Sequence, residues 1–269
     1  MASHTTPATP RTRLLAQRLL RGEGAAEITA YRAGETLSSV VHGISGTGRI
    51  VVAHVPNLFG SIGAFHTPEA IDVRLDVLHD SADVALPLRV ASLHLLGTLR
   101  WCRDTAEVEA LRLSGPCADL VREVGPRLRV GVVESERCLL HDVSGVTAFS
   151  PQGLPVSAHG LVAEAEIADL HDDVLAAGPG VLADLADAVI LGLLPGTSLL
   201  LATDAAGELP DAPAHCIDVD EHGVSVLRVR DGEVTSVHLA LPGADRIDHS
   251  PRAAWRRLLD AVPARSAQH

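Results

Sequence analysis

Apolar and polar residues alternate along much of the first half of the chain, which predicts β-strands with one buried and one solvent-facing side. The clearest example is Ile71–Val77, where every second residue is apolar. Leu37–His42 and Arg49–Val55 flank the glycine-containing segment Ser45–Gly48, a pattern typical of a β-hairpin. The longer apolar run Leu86–Leu99 predicts a central strand that bends at its glycine.

Helix signals follow these strands. Asp104 is placed to cap a first helix, with Glu107 completing a capping box and Gly115 ending the helix. Pro116 begins a second helix that runs to about Glu123. The two helices form a short helical insert between strands of the first half.

The next strand is predicted from Leu128 to about Val143. Its charged residues Glu134, Glu136 and Arg137 fall in the middle of the run. Because charged side chains are rarely buried without a partner, we expect this part of the strand to lie at a sheet edge or to line a site.

The N-terminal residues up to Arg21 are rich in Arg and Thr and contain no acid, which is typical of a transit peptide. The alternative is a disordered tail that leads into a helix. Thr9 can cap that helix, Pro10 suits its first position, and Gly22 can end it. Of the two interpretations we favour the helix.

The pattern changes at Phe149–Ser157, which contains two prolines and a glycine. This segment predicts a linker between a domain at 1–150 and a second domain at 157–263. Helical periodicity follows over Ala158–Ala177 and Val181–Leu194. Strands and a closing helix complete the second domain, at Leu199–Thr203, Cys216–Val219, Val224–Arg230 and Val234–Leu241 and from Ser250 to Pro263.

Composition limits the functions to consider. The net charge is −12 and aromatic residues make up 2% of the chain, which disfavours both phosphate contacts and base stacking, so we expect no nucleic-acid partner. No apolar run reaches the roughly 18 residues that a membrane-spanning helix needs. The four cysteines have no metal-ligand spacing, so we expect free thiols in a reducing cytoplasm and no metal site.

Four segments together resemble one protein family. They are RTRLLAQRLL at 11–20, LPLRVASLHLLGTL at 86–99, LVAEAEIADLHDDV at 161–174 and VSVLRVRDGEVTSVHLALPG at 224–243. In this order they are similar to FMN-binding split-barrel proteins of the pyridoxamine-phosphate-oxidase-like fold with a small C-terminal α/β domain. That group includes HugZ-type haem-utilisation proteins and the plant glutamyl-tRNA-reductase-binding protein. The resemblance implies an α+β fold, a split β-barrel followed by a helix–helix–antiparallel sheet–helix domain.

The resemblance also implies a ligand groove, for which Arg74 and Arg89 on barrel strands are the candidate phosphate or propionate contacts. Relatives bind the FMN phosphate with Arg, Lys and Ser or Thr, since a dianion needs several charge-assisted donors. This chain has no lysine, and the strand Arg49–Val55 continues without a basic cluster. We therefore expect haem rather than tightly bound FMN, with FMN as the alternative.

Two histidines are candidate haem ligands. In HugZ-type relatives a histidine in the C-terminal tail binds the iron, and His269 is the histidine of this chain in such a tail. His171 is the second candidate, because it lies where the two domains should meet. Its helical face, shared with Ile167 and Val174, equally predicts an ordinary histidine at the edge of a core. Whether His94 points into the barrel or outward stays open.

Three functions remain open. The first is a haem- or tetrapyrrole-binding split-barrel protein without strong catalysis, the second a flavin-dependent oxidoreductase on the same fold, and the third a structural or regulatory dimer without a ligand. The sequence assigns no catalytic residue, so it leaves undecided whether the protein is an enzyme. We expect a homodimer formed through the barrel, a tetrapyrrole-pathway enzyme as a candidate partner, and a cytoplasmic location.

Overall fold

The structure, a computed structural model, describes residues 8–56, 63–154, 164–201, 209–244 and 250–261. The chain divides into two compact units. Unit 1 comprises residues 1–79 and 91–158, and unit 2 comprises residues 80–90 and 159–269. The prediction assigned residues 80–90 to the first domain, whereas in the structure they group with unit 2.

Unit 1 is built around a β-barrel. The strands are β1 (Ala25–Ala30), β2 (Glu35–Ile44), β3 (Ile50–His54), β4 (Ile71–Asp80), β5 (Arg89–Trp101), β6 (Arg129–Glu134), β7 (Cys138–Asp142) and β8 (Gly145–Phe149). Six of them close a ring in the order β4-β1-β2-β3-β6-β5, because β5 also pairs with β4. Strand β7 pairs with β5, and β8 pairs with β7. The predicted α+β fold with a split barrel is therefore confirmed.

Among its described residues, unit 1 has three α-helices: α1 (Pro10–Leu20), α2 (Thr105–Ala110) and α3 (Gly115–Val124). The predicted N-caps are confirmed, since the Thr9 side chain accepts a hydrogen bond from the Thr12 amide and Asp104 accepts one from the Glu107 amide. Gly115, predicted to end α2, is instead the first residue of α3. Helices α2 and α3 contribute to an apolar cluster on β3 and β6 that is separate from the main barrel core.

Strand boundaries differ from the prediction in two ways. The run from Leu128 to Val143 forms two strands, β6 and β7: Glu134 is the last residue of β6, and Glu136 and Arg137 lie in the short connection between the strands. Strands β1 and β8 were not predicted. Strand β1 is rich in alanine, whose small side chains give a weak apolar signal even though alternate positions are buried.

A histidine is buried between α1 and β2. His42 is 2% exposed, and its Nε2 lies 2.5 Å from the Leu19 carbonyl oxygen, to which it donates. Because burial disfavours the charged imidazolium, the pKa of His42 lies below the ordinary value of about 6.5. The pKa of His54 is lowered too, first by burial and then by the charge of Arg129.

We expect these two histidines to make the protein less stable in mild acid. Between the folded-state pKa and about 6.5 the unfolded chain binds protons that the folded chain does not, so the free energy of unfolding falls as the pH falls below 6.5. Urea unfolding at pH 7 and pH 5 should show the loss, and His42→Gln should reduce it. An unchanged pH dependence in His42→Gln would contradict this assignment.

The described residues of unit 2 form a four-stranded antiparallel sheet and two helices. The strands are β9 (Gly196–Leu200), β10 (Ala214–Val219), β11 (Gly223–Arg230) and β12 (Glu233–Ala240), and the helices are α4 (Glu164–Ile190) and α5 (Pro251–Ala261). The strand order is β10-β11-β12-β9. Asp231 and Gly232 both have positive φ, the geometry of the tight hairpin turn that joins β11 to β12. Helix α4 is kinked at Gly178, which has φ +79° and precedes Pro179.

Each face of this sheet carries its own apolar cluster. Residues of α4 and α5, including Leu185 and Trp255, form one cluster with β10, β11 and β12. Leu86 and Val90, from the segment 80–90, belong to a second cluster with other positions of the same strands. This second cluster explains why the segment 80–90 groups with unit 2. Within the described residues, none of the helices is long and apolar enough to cross a membrane.

Candidate functional site

The two predicted anion-binding arginines are each paired with an acid. In unit 1, Arg74 Nε donates to Asp76 Oδ2 at 2.7 Å. In unit 2, Arg89 Nε donates to Asp80 Oδ1 at 2.7 Å. Both guanidinium groups are about half exposed, and their charges are already balanced by a carboxylate.

Of the two predicted haem ligands, the structure describes one. His171 is half-buried in unit 2, and its Nε2 lies 2.9 Å from the carbonyl oxygen of Ala82. This contact holds one ring nitrogen against the backbone, as expected for a histidine at the edge of a core. His269 lies outside the described residues, so its role stays a prediction.

A larger feature of unit 1 is a groove where the beginning of β3, the middle of β5 and the end of β6 meet, here called the β5–β6 groove. Its volume is about 810 Å³, within the range typical of small-molecule sites. Its lining is mixed, with apolar Ile50, Leu96, Val132, Val133 and Pro151, polar Thr47, Thr98, Ser135 and Gln152, charged Arg49, Glu134, Glu136 and Arg137, and two glycines, Gly48 and Gly97.

The two arginines that line the groove differ in whether an acid pairs with them. Arg49 pairs with Glu134, with 2.5 Å between Nη2 and Oε1. Among the described residues no carboxylate lies within salt-bridge distance of the Arg137 guanidinium, which is therefore the cation of the groove that is free to meet an anion. Glu134, Glu136 and Arg137, which the sequence predicts to lie at an edge or to line a site, all line this groove.

A close approach between β5 and β6 shapes the floor of the groove. A side chain at Gly97 would place its Cβ 2.1 Å from the Glu134 carbonyl oxygen, so only glycine fits. Beside this contact, Ser135 Oγ lies 2.8 Å from the Leu96 carbonyl oxygen. Gln152 Nε2 donates to the Ser135 carbonyl at 3.1 Å. The turn that presents Arg137 is therefore fixed by neighbours on both sides.

A polar network lies on the outer surface of β4, β5 and β7, here called the outer-face cluster and defined as Arg74, Asp76, Ser92, His94 and His141. Asp76 Oδ1 lies 2.5 Å from His94 Nδ1, and His94 Nε2 lies 3.0 Å from Ser92 Oγ. The rings of His94 and His141 meet edge to face, with 5.1 Å between their centroids. His94 therefore points outward, which the sequence left open.

A second cavity of unit 1 is too small for an organic ligand. Its volume is about 10 Å³, room for about one water molecule. Arg129 lies against it, with its guanidinium carbon 4.5 Å from the Trp101 ring centroid and its Nη1 2.5 Å from the Phe65 carbonyl oxygen. These contacts indicate a structural role for this cluster.

The cysteines offer no activated thiol among the described residues. All four are free, and three are buried. Burial raises the pKa of Cys117 to about 12, that of Cys138 to about 11 and that of Cys216 to about 12. Since the thiolate is the reactive form, these thiols are inert near neutral pH.

Comparisons with known proteins give matches among solved structures alone. No known family model matches the chain, and no curated protein matches it. Among solved structures, a heme binding protein from Mycobacterium smegmatis shares 13% identity over 94% of this chain and 100% of that one, with a TM-score of 0.44. A protein of unknown function from Agrobacterium tumefaciens shares 14% identity over 97% of this chain and 100% of that one, with a TM-score of 0.38.

A third similar structure covers about half of the chain. It is a protein from Clostridium acetobutylicum related to general stress protein 26, of the pyridoxinephosphate oxidase family. It shares 12% identity over 55% of this chain and 99% of that one, with a TM-score of 0.38. At these identities the likeness concerns the fold and assigns neither a function nor a ligand.

Proposed function

We propose that unit 1 binds an anionic tetrapyrrole such as haem in the β5–β6 groove. The observation that carries this proposal is Arg137, a guanidinium without an acidic partner at a groove whose lining includes Ile50, Leu96 and Val132. A tetrapyrrole has an apolar ring and carboxylates on one edge, and it needs this combination of contacts. An Arg–carboxylate pair is a strong, geometrically specific hydrogen bond.

The local charge favours one ligand carboxylate rather than a phosphate dianion. Arg49 and Arg137 are offset in number by Glu134 and Glu136 in the same lining, and Arg49 is occupied by Glu134. A dianion would need several free donors. The groove therefore supports a ligand whose charge is distributed over separate carboxylates, and it gives less support to the phosphate of FMN.

The groove does not itself supply an iron ligand, since its described lining contains no histidine. When bound, haem would bring a redox-active iron, and the residues of the groove would hold the ring and one propionate. His269 remains the proposed iron ligand, with His171 as the second candidate. Coordination of the iron by either residue is a separate proposal, and it is tested separately from binding in the groove.

Titration of the full chain with haem and with metal-free protoporphyrin IX, followed by the Soret absorbance, tests the proposal. We expect saturable binding of both, because the ring and the carboxylates carry the main contacts. Arg137→Ala should weaken binding about 10- to 100-fold, the effect of losing a charge-assisted hydrogen bond of roughly 1.5–3 kcal/mol. Arg74→Ala and Arg89→Ala are matched controls, because each removes an arginine that is already paired.

Three outcomes separate the parts of the proposal. No saturable Soret change with either compound contradicts tetrapyrrole binding. A larger loss in Arg74→Ala or Arg89→Ala than in Arg137→Ala would place the carboxylate contact at the arginines that the sequence favoured. Haem binding that is tighter than protoporphyrin binding, and is reduced to the same affinity by His269→Ala or His171→Ala, would identify the iron ligand.

FMN titration under the same conditions tests the flavin alternative. We expect no complex that survives gel filtration, because the groove has one unpaired guanidinium among its described residues. Flavin retained at a dissociation constant of micromolar or below, and lost in Arg137→Ala, would show that the groove is a flavin site instead.

A further inference from the structure

The outer-face cluster contains a serine, a histidine and an aspartate in hydrogen-bonded series. Ser92 and His94 are two residues apart on β5, so their side chains share one face of the strand. Asp76 reaches the histidine from the neighbouring strand β4, with 2.5 Å between Oδ1 and Nδ1. The series ends at Ser92 Oγ, 3.0 Å from His94 Nε2. This is the connectivity of an activated nucleophile, a base and the group that orients the base.

The contacts of the two Asp76 carboxylate oxygens determine which ring nitrogen of His94 carries the proton. Asp76 is 5% exposed, and its second oxygen, Oδ2, accepts a hydrogen bond from Arg74 Nε at 2.7 Å. A carboxylate can only accept hydrogen bonds, so the proton of neutral His94 lies on Nδ1. The lone pair of Nε2 is then directed at the Ser92 hydroxyl, as a general base requires.

The serine is within reach of a ligand from solvent. Ser92 is partly exposed, and the His94 side chain is 34% exposed. His141 is exposed on β7 and lies directly opposite Ser92 in the strand register, so its imidazole N–H can approach an oxygen attached to a group bound at Ser92. Leu96, 64% exposed on the same face of β5, offers an apolar contact beside the histidine.

We propose that Ser92 is the nucleophile of a second, hydrolytic site that cleaves carboxylic esters. Ser92 Oγ bonds to the ester carbonyl carbon as its proton passes to His94 Nε2, and the developing oxyanion accepts the hydrogen bond of His141. The carbon–oxygen bond to the alcohol then breaks, and the leaving alkoxide takes the proton from His94. Water repeats both steps on the acyl-serine, which releases the carboxylic acid and restores Ser92.

Acylation of the full chain by p-nitrophenyl acetate and by a fluorophosphonate probe tests this proposal. The wild type should release a burst of p-nitrophenolate, and mass spectrometry should place the adduct on Ser92. Ser92→Ala should lose both signals, and His94→Gln should slow acylation about 100-fold or more, the usual contribution of a general base. Ser225→Ala is the matched control, because Ser225 also contacts a histidine, His238, at 3.2 Å but is buried in unit 2.

Asp76 acts through His94 and is therefore a positioning residue. Asp76→Asn should slow acylation of Ser92, and Asp76→Glu should restore part of the rate, while far-UV circular dichroism shows that both variants are folded. A folded wild type without a burst or an adduct overturns the proposal. So does an adduct on His94 or His141 that persists in Ser92→Ala, or labelling of Ser92 at an unchanged rate in His94→Gln, because each shows ordinary surface reactivity.

Discussion

Replacing Trp255 with alanine should lower the free energy of unfolding of unit 2 by about 3–5 kcal/mol, the usual cost of emptying a buried aromatic site. The side chain on α5 is fully buried. It lies in one core cluster with Leu170 and Leu185 of α4 and Val226 of β11. Because this cluster joins both helices to the sheet, the cavity would weaken the contacts of all three.

Each unit contains one tryptophan, so the unfolding of the two units can be followed separately. Trp255 is in unit 2 and Trp101 is in unit 1, so in Trp255→Ala the remaining tryptophan reports on the barrel. Urea unfolding followed by far-UV circular dichroism should show the destabilisation of unit 2. Trp255→Phe is the matched control, and it should cost less because most of the apolar volume is kept. A loss below about 1 kcal/mol in Trp255→Ala would contradict the position of this residue in the core.

Replacing Gly97 with alanine should both destabilise the barrel and weaken ligand binding in the β5–β6 groove. The new Cβ would lie 2.1 Å from the Glu134 carbonyl oxygen. Since that atom belongs to the backbone, strands β5 and β6 would have to separate, at a cost of roughly 3 kcal/mol, near the upper end for overpacking. The turn that carries Arg137 follows Glu134 directly, so it would move as well.

Gly180→Ala is a suitable control for this change. A Cβ at Gly180 would meet nothing within 4 Å, and its φ is not in the left-handed region. Because alanine favours a helix over glycine, the control should be neutral or slightly stabilising. Thermal unfolding and protoporphyrin titration of the two variants provide the comparison. A Gly97→Ala protein with wild-type stability and affinity would show that the strands do not approach this closely.

Local signals in the sequence were sufficient for most of the secondary structure. The alternation in Ile71–Val77 predicts β4, and the Asp231–Gly232 pair marks the turn between β11 and β12 because both residues adopt positive φ. Cap residues such as Thr9 and Asp104 mark helix starts through hydrogen bonds to the third following amide. These features depend on residues that are close together in the chain, so a single sequence is enough to predict them.

The groove could be predicted only in part. The charges of Glu134, Glu136 and Arg137 indicated that the middle of one predicted strand lies at a sheet edge or lines a site, and in the structure all three residues line the groove. That Arg137 rather than Arg74 or Arg89 is the unpaired cation depends on which acid lies beside each arginine. For Arg74 this partner is two residues away on the same strand, whereas the groove that Arg137 lines also contains residues of β3 and β5. These strands lie close together because of the strand order of the sheet. That order is determined by pairing between strands that are far apart in the sequence.

The outer-face cluster shows the same limit. Ser92 and His94 are two residues apart and therefore share one face of a strand. The alternation of apolar and polar residues would have shown which face this is if the strand had one clearly buried side. The run Leu86–Leu99 is apolar at most positions, so its pattern does not separate the two faces. Asp76 joins the pair because β4 pairs with β5 in the closed barrel, and sequence spacing gives no sign of that contact.

Hydrogen–deuterium exchange of the full chain, with and without protoporphyrin IX, tests the central claim that the β5–β6 groove is the ligand site. We predict that the ligand slows exchange in peptides covering 47–49, before β3, and 134–137, at the end of β6 and in the connection after it, two segments that line the groove. This protection should be lost in Arg137→Ala. Protection confined to unit 2 or to the surroundings of Arg74, with both segments unchanged in the presence of saturating ligand, would contradict the claim.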